Sequence, residues 1–160
     1  MRAVARVAPG VSLDAIESQL TTRMRAIGAA EHALELMIRR GLERVAFGKP
    51  ILQLGGNLER VADARMAIDQ ARLLTLYAAW KIDAVGAKQA MTEISAIKVV
   101  APNMLQAVVD QAIQIHGGAG VSDDVPLVGL FALARALRLA DGPDEVHRAM
   151  VARMELAKYK

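Results

Sequence analysis

With 160 residues, 54% of them apolar and only 3% aromatic, the chain can bury one sizeable core, and its Ala, Leu, Ile and Met content favours helices over strands. Its 20 basic and 17 acidic residues leave a formal charge of +3 without a basic run, which argues against nucleic acid as a partner. No cysteine is present for disulfide or thiolate chemistry and no apolar run approaches the ~20 residues of a membrane span, so a soluble, cytoplasmic protein is expected.

Residues 1–12 read as an irregular lead-in broken by Pro9-Gly10, without the apolar core of a signal peptide. Residues 13–160 read as one helical bundle. Ser12 offers an N-cap for a first helix that carries Ile27, Ala30, Leu34, Met37 and Val45 on one face and stops at "FGKP". In the second, Val61, Ala64, Ile68, Ala71, Thr75, Ala78, Ile82 and Val85 alternate at spacings of three and four, a packing seam that Gly86 ends. A third helix from about Lys88 places Ile94, Ile97, Ala101, Met104, Val108 and Ile115 on one side. Pro102 lies inside it and predicts a kink or short break, because proline removes a backbone donor and crowds the Lys98 carbonyl.

Glycines after His116 end that helix. Asp124 and Pro126 start a fourth, to about Leu139, and "ADGPDEVH" starts a fifth with Pro143 in its first turn. Nothing reads as a strand. The predicted architecture is an all-α, up-and-down bundle of four to five long helices.

Three segments could carry chemistry. "QIHGGAGVSDD" holds Gly117, Gly118 and Gly120 within four positions, more than a helix cap requires, and bare backbone N–H groups can approach an anion. "RVAFGKP" holds Arg44, either a complement to the negative helix end or a planar fork for a phosphate. In "RLADGPDEVH", Asp141 is either the N-cap of the last helix or a carboxylate between Leu139 and Val146, where apolar surroundings would raise its pKa and the helix N-terminus would oppose that rise. A di-iron carboxylate site would need two Glu-x-x-His pairs; only Asp144 and His147 come close, so no metal site is expected. His32 and His116 lie in apolar helical context and read as core or cap residues.

In order, "RAIGAAEHALE", "RVAFGKP", "QIHGGAGVSDD" and "LRLADGPDEVH" make the chain from about Arg25 to Lys158 resemble the C-terminal helical domain of acyl-CoA dehydrogenases. It is most similar to the subgroup with ADGPDEVH where most members carry a glutamate-containing motif. The resemblance implies α,β-dehydrogenation of an acyl-CoA thioester, in which a carboxylate removes the α-proton and the β-hydrogen passes as hydride to FAD. It implies that Asp141 is the catalytic base. It further implies that Arg44, Phe47, Gln114, Gly117 and Gly118 contact the FAD of a neighbouring subunit around its pyrophosphate and adenosine. Ala46 and Pro143 stand where relatives carry threonines, and Gln19 stands where an active-site-facing arginine is expected.

Relatives add an N-terminal helical domain and a middle β-domain, so the expected partners are an acyl-CoA substrate and either further copies, as dimer or tetramer, or a chain carrying those domains. The expected function is the C-terminal part of an FAD-dependent dehydrogenase that does not hold FAD tightly alone. The alternative is a stand-alone helical oligomerisation module that kept the fold and lost the chemistry.

Overall fold

The computed structural model describes residues 13–159, so the lead-in and the Ser12 cap lie outside the described residues. Five α-helices make up most of it: α1 (Leu13–Glu43), α2 (Asn57–Val85), α3 (Met91–His116), α4 (Leu127–Leu137) and α5 (Asp144–Leu156). The all-α bundle is as expected, but only three of its helices are long; α4 and α5 span 11 and 13 residues. No helix among the described residues is long and apolar enough to cross a membrane.

α3 is the central element and packs against each of the other four helices. α1 and α3 run parallel with α2 antiparallel to both. At one end Ile16, Ile82 and Ile94 share a small cluster where α1 and α3 begin and α2 finishes. Along the middle, Ile27, Ala30, Leu34 and Met37 of α1 meet Ala64, Ile68 and Ala71 of α2 and Leu105, Val108 and Val109 of α3. Small alanines let the helix axes approach closely. Met37 and Leu105 are fully buried, and truncating either to Ala costs about 2–5 kcal/mol through lost contact and a residual cavity. Thr75, a polar residue in the α2 seam, is satisfied by donating to the Ala71 carbonyl at 2.8 Å. Val85 departs from the predicted seam and is exposed, because the chain leaves the helix at Gly86, whose φ is +87°.

Three local expectations are corrected. Val45 does not extend the buried face of α1. It is 63% exposed in a short hairpin, β1 (Val45–Ala46) against β2 (Lys49–Pro50), with Ala46 opposite Lys49. The turn residues Phe47 and Gly48 have φ of +52° and +79°, the two positive values that a tight two-residue hairpin turn requires. Second, α3 runs unbroken through Pro102, which is buried, and Asn103 Nδ2 donates to the Val99 carbonyl at 2.7 Å beside the Lys98 carbonyl that the proline leaves bare. Third, α4 begins after Pro126 and ends at Leu137, and Asp124 does not cap it; the Ser122 hydroxyl donates to Asp124 instead, at 3.1 Å.

Candidate functional site

At one end of the bundle the hairpin and the glycine segment lie side by side. The Arg44 backbone is fixed twice: its N–H donates to Arg40 and its carbonyl accepts from Ile51. Its side chain then crosses to α3, where Nη1 lies 3.4 Å from the place a Cβ on Gly117 would occupy. Gly117 caps α3 with φ +64° and ψ −138°, a conformation that excludes a side chain, and its N–H donates to Ile113. A Cβ on Gly118 would meet nothing within 4 Å, whereas one on Gly120 would lie 2.7 Å from the Ile113 carbonyl. The glycines therefore divide: Gly120 is needed for packing, and Gly118 leaves open backbone. Gln114 is exposed one turn earlier, and the Phe47 ring is 94% exposed at the hairpin tip. His116 is buried beneath the turn with Nδ1 2.8 Å from the Ala112 carbonyl, as a core histidine should be. His32 is not in the core; it is exposed beside Glu35.

The structure thus brings Arg44, Phe47, Gln114, Gly117 and Gly118 to one end of the bundle. A guanidinium, open glycine backbone and an uncovered aromatic ring fit a ligand that joins phosphate to a flat ring system. Among the described residues, no group of three or more His, Asp or Glu could hold a metal ion.

Asp141 sits at the other end. It does not cap α5, because Pro143, in extended conformation, takes that position. Nor is its carboxylate enclosed by apolar side chains. Leu139 and Val146 are 54% and 56% exposed, and Asp141 is exposed with them, since the loop from α4 to α5 projects from the bundle. Only a surface laid across that loop would desolvate the carboxylate. Its backbone has φ +55°, and its carbonyl accepts from His147 Nε2 at 3.1 Å. Phe47 and Asp141 are the two non-glycine residues with positive φ among the described residues. Strain of this kind costs about 1–3 kcal/mol and concentrates where function demands it.

Beneath Asp141 lies a buried polar cluster that the sequence reading missed. Arg138 Nε donates to Asp144 Oδ2 at 2.8 Å, and Asn103 Nδ2 donates to the same oxygen at 2.9 Å. Burial pushes the Asp144 carboxyl up, but these two donors outweigh it and hold the group below its ordinary range. Lys98 reaches the Arg138 carbonyl at 3.4 Å, and Arg23 of α1 is 1% exposed nearby. Burial lowers the Arg23 pKa, and the Asp141 charge raises it in part. A sequence signal existed. Ile16, Leu20, Arg23, Ile27 and Ala30 follow the core spacing of α1, so Arg23 is a cation on a core-facing position, one turn beyond Gln19.

Arg23 and Lys98 belong to one end of the parallel α1–α3 pair, and Arg44 and Gly117 to the other. At the ~1.5 Å rise per residue of an α-helix, Lys98 and His116 are roughly 27 Å apart along α3. The Asp141 end and the Arg44 end therefore serve different places.

The acyl-CoA dehydrogenase C-terminal domain matches residues 17–156. The chain belongs to that family. A solved structure from Mycobacterium abscessus that bears the acyl-CoA dehydrogenase name is 62% identical with a TM-score of 0.88, over 89% of this chain and 35% of the other. Butyryl-CoA dehydrogenase from Megasphaera elsdenii is 29% identical with a TM-score of 0.80, over 86% of this chain and 36% of the other. Acyl-CoA dehydrogenase family member 11 of Rattus norvegicus is 50% identical over 133 residues, 83% of this chain and 17% of that protein. The acyl-CoA dehydrogenase domain described here thus spans about a third or less of these relatives.

Proposed function

We propose that this domain supplies the base for α,β-dehydrogenation of an acyl-CoA thioester through Asp141, and presents Arg44, Phe47, Gln114, Gly117 and Gly118 to the FAD of a neighbouring subunit. The reading rests on one observation above others. The two strained non-glycine residues, Phe47 and Asp141, stand in the two exposed candidate surfaces, at opposite ends of the α1–α3 pair. A carboxylate and a guanidinium so far apart cannot act on one reacting carbon, so each end contributes to a different flavin site in an oligomer.

In this reading bound FAD supplies the hydride acceptor. Arg44 would hold the pyrophosphate charge, the open backbone at Gly118 would admit that group, and Phe47 would offer an aromatic surface to the cofactor. Asp141, covered by the acyl group and the rest of the active site, loses its water and takes a proton from the α-carbon. Its side chain is one methylene shorter than glutamate, so the base must be brought closer to the α-carbon.

Asp141→Asn in the flavin-loaded, full-length protein tests the assignment. Dehydrogenation of acyl-CoA is expected to fall by three orders of magnitude or more, roughly what loss of an essential base costs, with flavin absorbance retained. Turnover within tenfold of the parent would overturn it. The alternative, an oligomerisation module without chemistry, draws support from α2, which exposes Leu73, Leu76, Tyr77 and Trp80 opposite its buried face.

A further inference from the structure

We propose that Arg23 and Lys98 form an oxyanion subsite beneath Asp141, built for an acyl group that carries a carboxylate or comparable anionic oxygen function rather than a plain hydrocarbon tail. The substrate class rests on the dehydrogenase reading above; the anion site itself does not. Three cations, Arg23, Lys98 and Arg138, face two carboxylates, Asp141 and Asp144, so the charges at this end of the bundle do not fully cancel. Arg138 and Asp144 form a 2.8 Å ion pair through Asp144 Oδ2, to which Asn103 also donates, while Asp144 Oδ1 has no donor among the described residues. Two further cations, Arg23 and Lys98, remain at 1% exposure each. Lys98 has only the 3.4 Å contact to the Arg138 carbonyl, and Nε and Nη2 of Arg23 find no acceptor among the described residues.

An arginine in an apolar seam is costly to keep. The exposed Asp141 carboxylate compensates the Arg23 charge only in part, and each unmet donor adds to the cost of burial. A role in folding alone would be met better by Leu or Met, the kind of residue the rest of this seam carries. An alkyl chain lying against Arg23 would leave both donors unmet. An oxyanion would meet them with charge-assisted bonds, and Lys98 would add a second cation. Arg23, on α1, and Lys98, on α3, face the same loop that carries Asp141, so the anionic group would bind close to the carbon that Asp141 deprotonates. That loop exposes Asp141 and bends through left-handed Asp141 and Gly142 at φ +55° and +98°.

Calorimetric titration of the 160-residue chain with glutarate, and separately with inorganic phosphate, tests the subsite without flavin or turnover. Saturable one-to-one binding is expected for at least one probe, and the tighter of the two identifies the anion class. Arg23→Met should weaken it roughly 10- to 100-fold, the range that one charge-assisted hydrogen bond spans, while Arg23→Lys retains part of it. If Arg23→Met does not fold by circular dichroism, Lys98→Met and Arg23→Lys carry the same comparison. No binding of either probe by the parent chain, or equal binding by the variants, overturns the subsite. Because failure of Asp141→Asn to abolish turnover is read on the flavin-loaded enzyme, the two results are independent.

Discussion

Substituting two glycines of the same turn by alanine should have very unequal consequences for folding. At Gly120 the added Cβ would lie 2.7 Å from the Ile113 carbonyl, 2.9 Å from its Cα and 3.0 Å from the His116 Cβ. Two of these neighbours are backbone of the central helix, which cannot swing aside as a side-chain tip can. Relief requires the turn at 117–121 to lift from α3 or the last turn of α3 to distort, and such overpacking costs about 1–3 kcal/mol. For a domain of this size that corresponds to a fall in Tm of roughly 2–10 °C. At Gly118 the Cβ would meet nothing within 4 Å, and the backbone needs no positive φ, so Gly118→Ala should leave stability within about 0.5 kcal/mol. Thermal unfolding followed by circular dichroism, with urea midpoints as a second measure, decides between them. The reasoning fails if Gly120→Ala melts with the parent chain, or if Gly118→Ala loses as much as Gly120→Ala. In a flavin-loaded assembly the order should reverse for cofactor retention. There Gly118→Ala places a methyl group on the open backbone and should speed flavin loss.

Two further outcomes follow from local physics. Phe47→Gly removes an aromatic residue from left-handed φ, relieving about 1–2 kcal/mol of strain against about 0.5–1 kcal/mol of added backbone entropy, and forfeits little burial from a ring 94% exposed. Chain stability should therefore hold or rise slightly while flavin affinity of the assembly falls; a marked drop in Tm would show that the ring packs within this chain. Glu31 bridges α1 to Arg65 and Arg72 of α2, with Arg65 donating at 2.8 Å, and the hydrogen bond from Arg65 leads in lowering its pKa from the ordinary 4.5 to about 2. A carboxylate held low in the folded state stabilises fully above 4.5, and that contribution disappears as pH falls through about 2. Because the network is partly solvated, its contribution is about 1 kcal/mol or less. The urea midpoint should drop between pH 5 and pH 2, and Glu31→Gln should flatten that part of the profile; an unchanged profile in the variant refutes the assignment.

Much of the fold was legible because burial repeats with the period of a helix. The spacings of three and four along α2, from Ala64 to Ile82, need nothing beyond the chain order to declare a buried face. Gly86 and Gly117 mark helix ends by themselves, since positive φ is nearly free only for glycine. What failed was local and depended on neighbours. Val45 fits the apolar spacing of α1, yet the chain reverses at Phe47-Gly48 and takes it out of the helix. Pro102 reads as a breaker, yet α3 continues through it with the proline buried in the fold.

The candidate site divides in the same way. The order and types of residues pointed to Asp141, Arg44 and the glycine turn, because side-chain chemistry is written directly in the sequence. Only the tertiary structure decided which of them meet. Arg44 and Gly117, far apart in sequence, come side by side because α1 and α3 run parallel and finish together. Asp141 is carried to the opposite end because α4 descends antiparallel to α3 and turns back there. The same parallel pairing sets Arg23 and Lys98 under one loop. Neither residue's burial can be read from its own position alone, because only the folded chain removes both cations from water together.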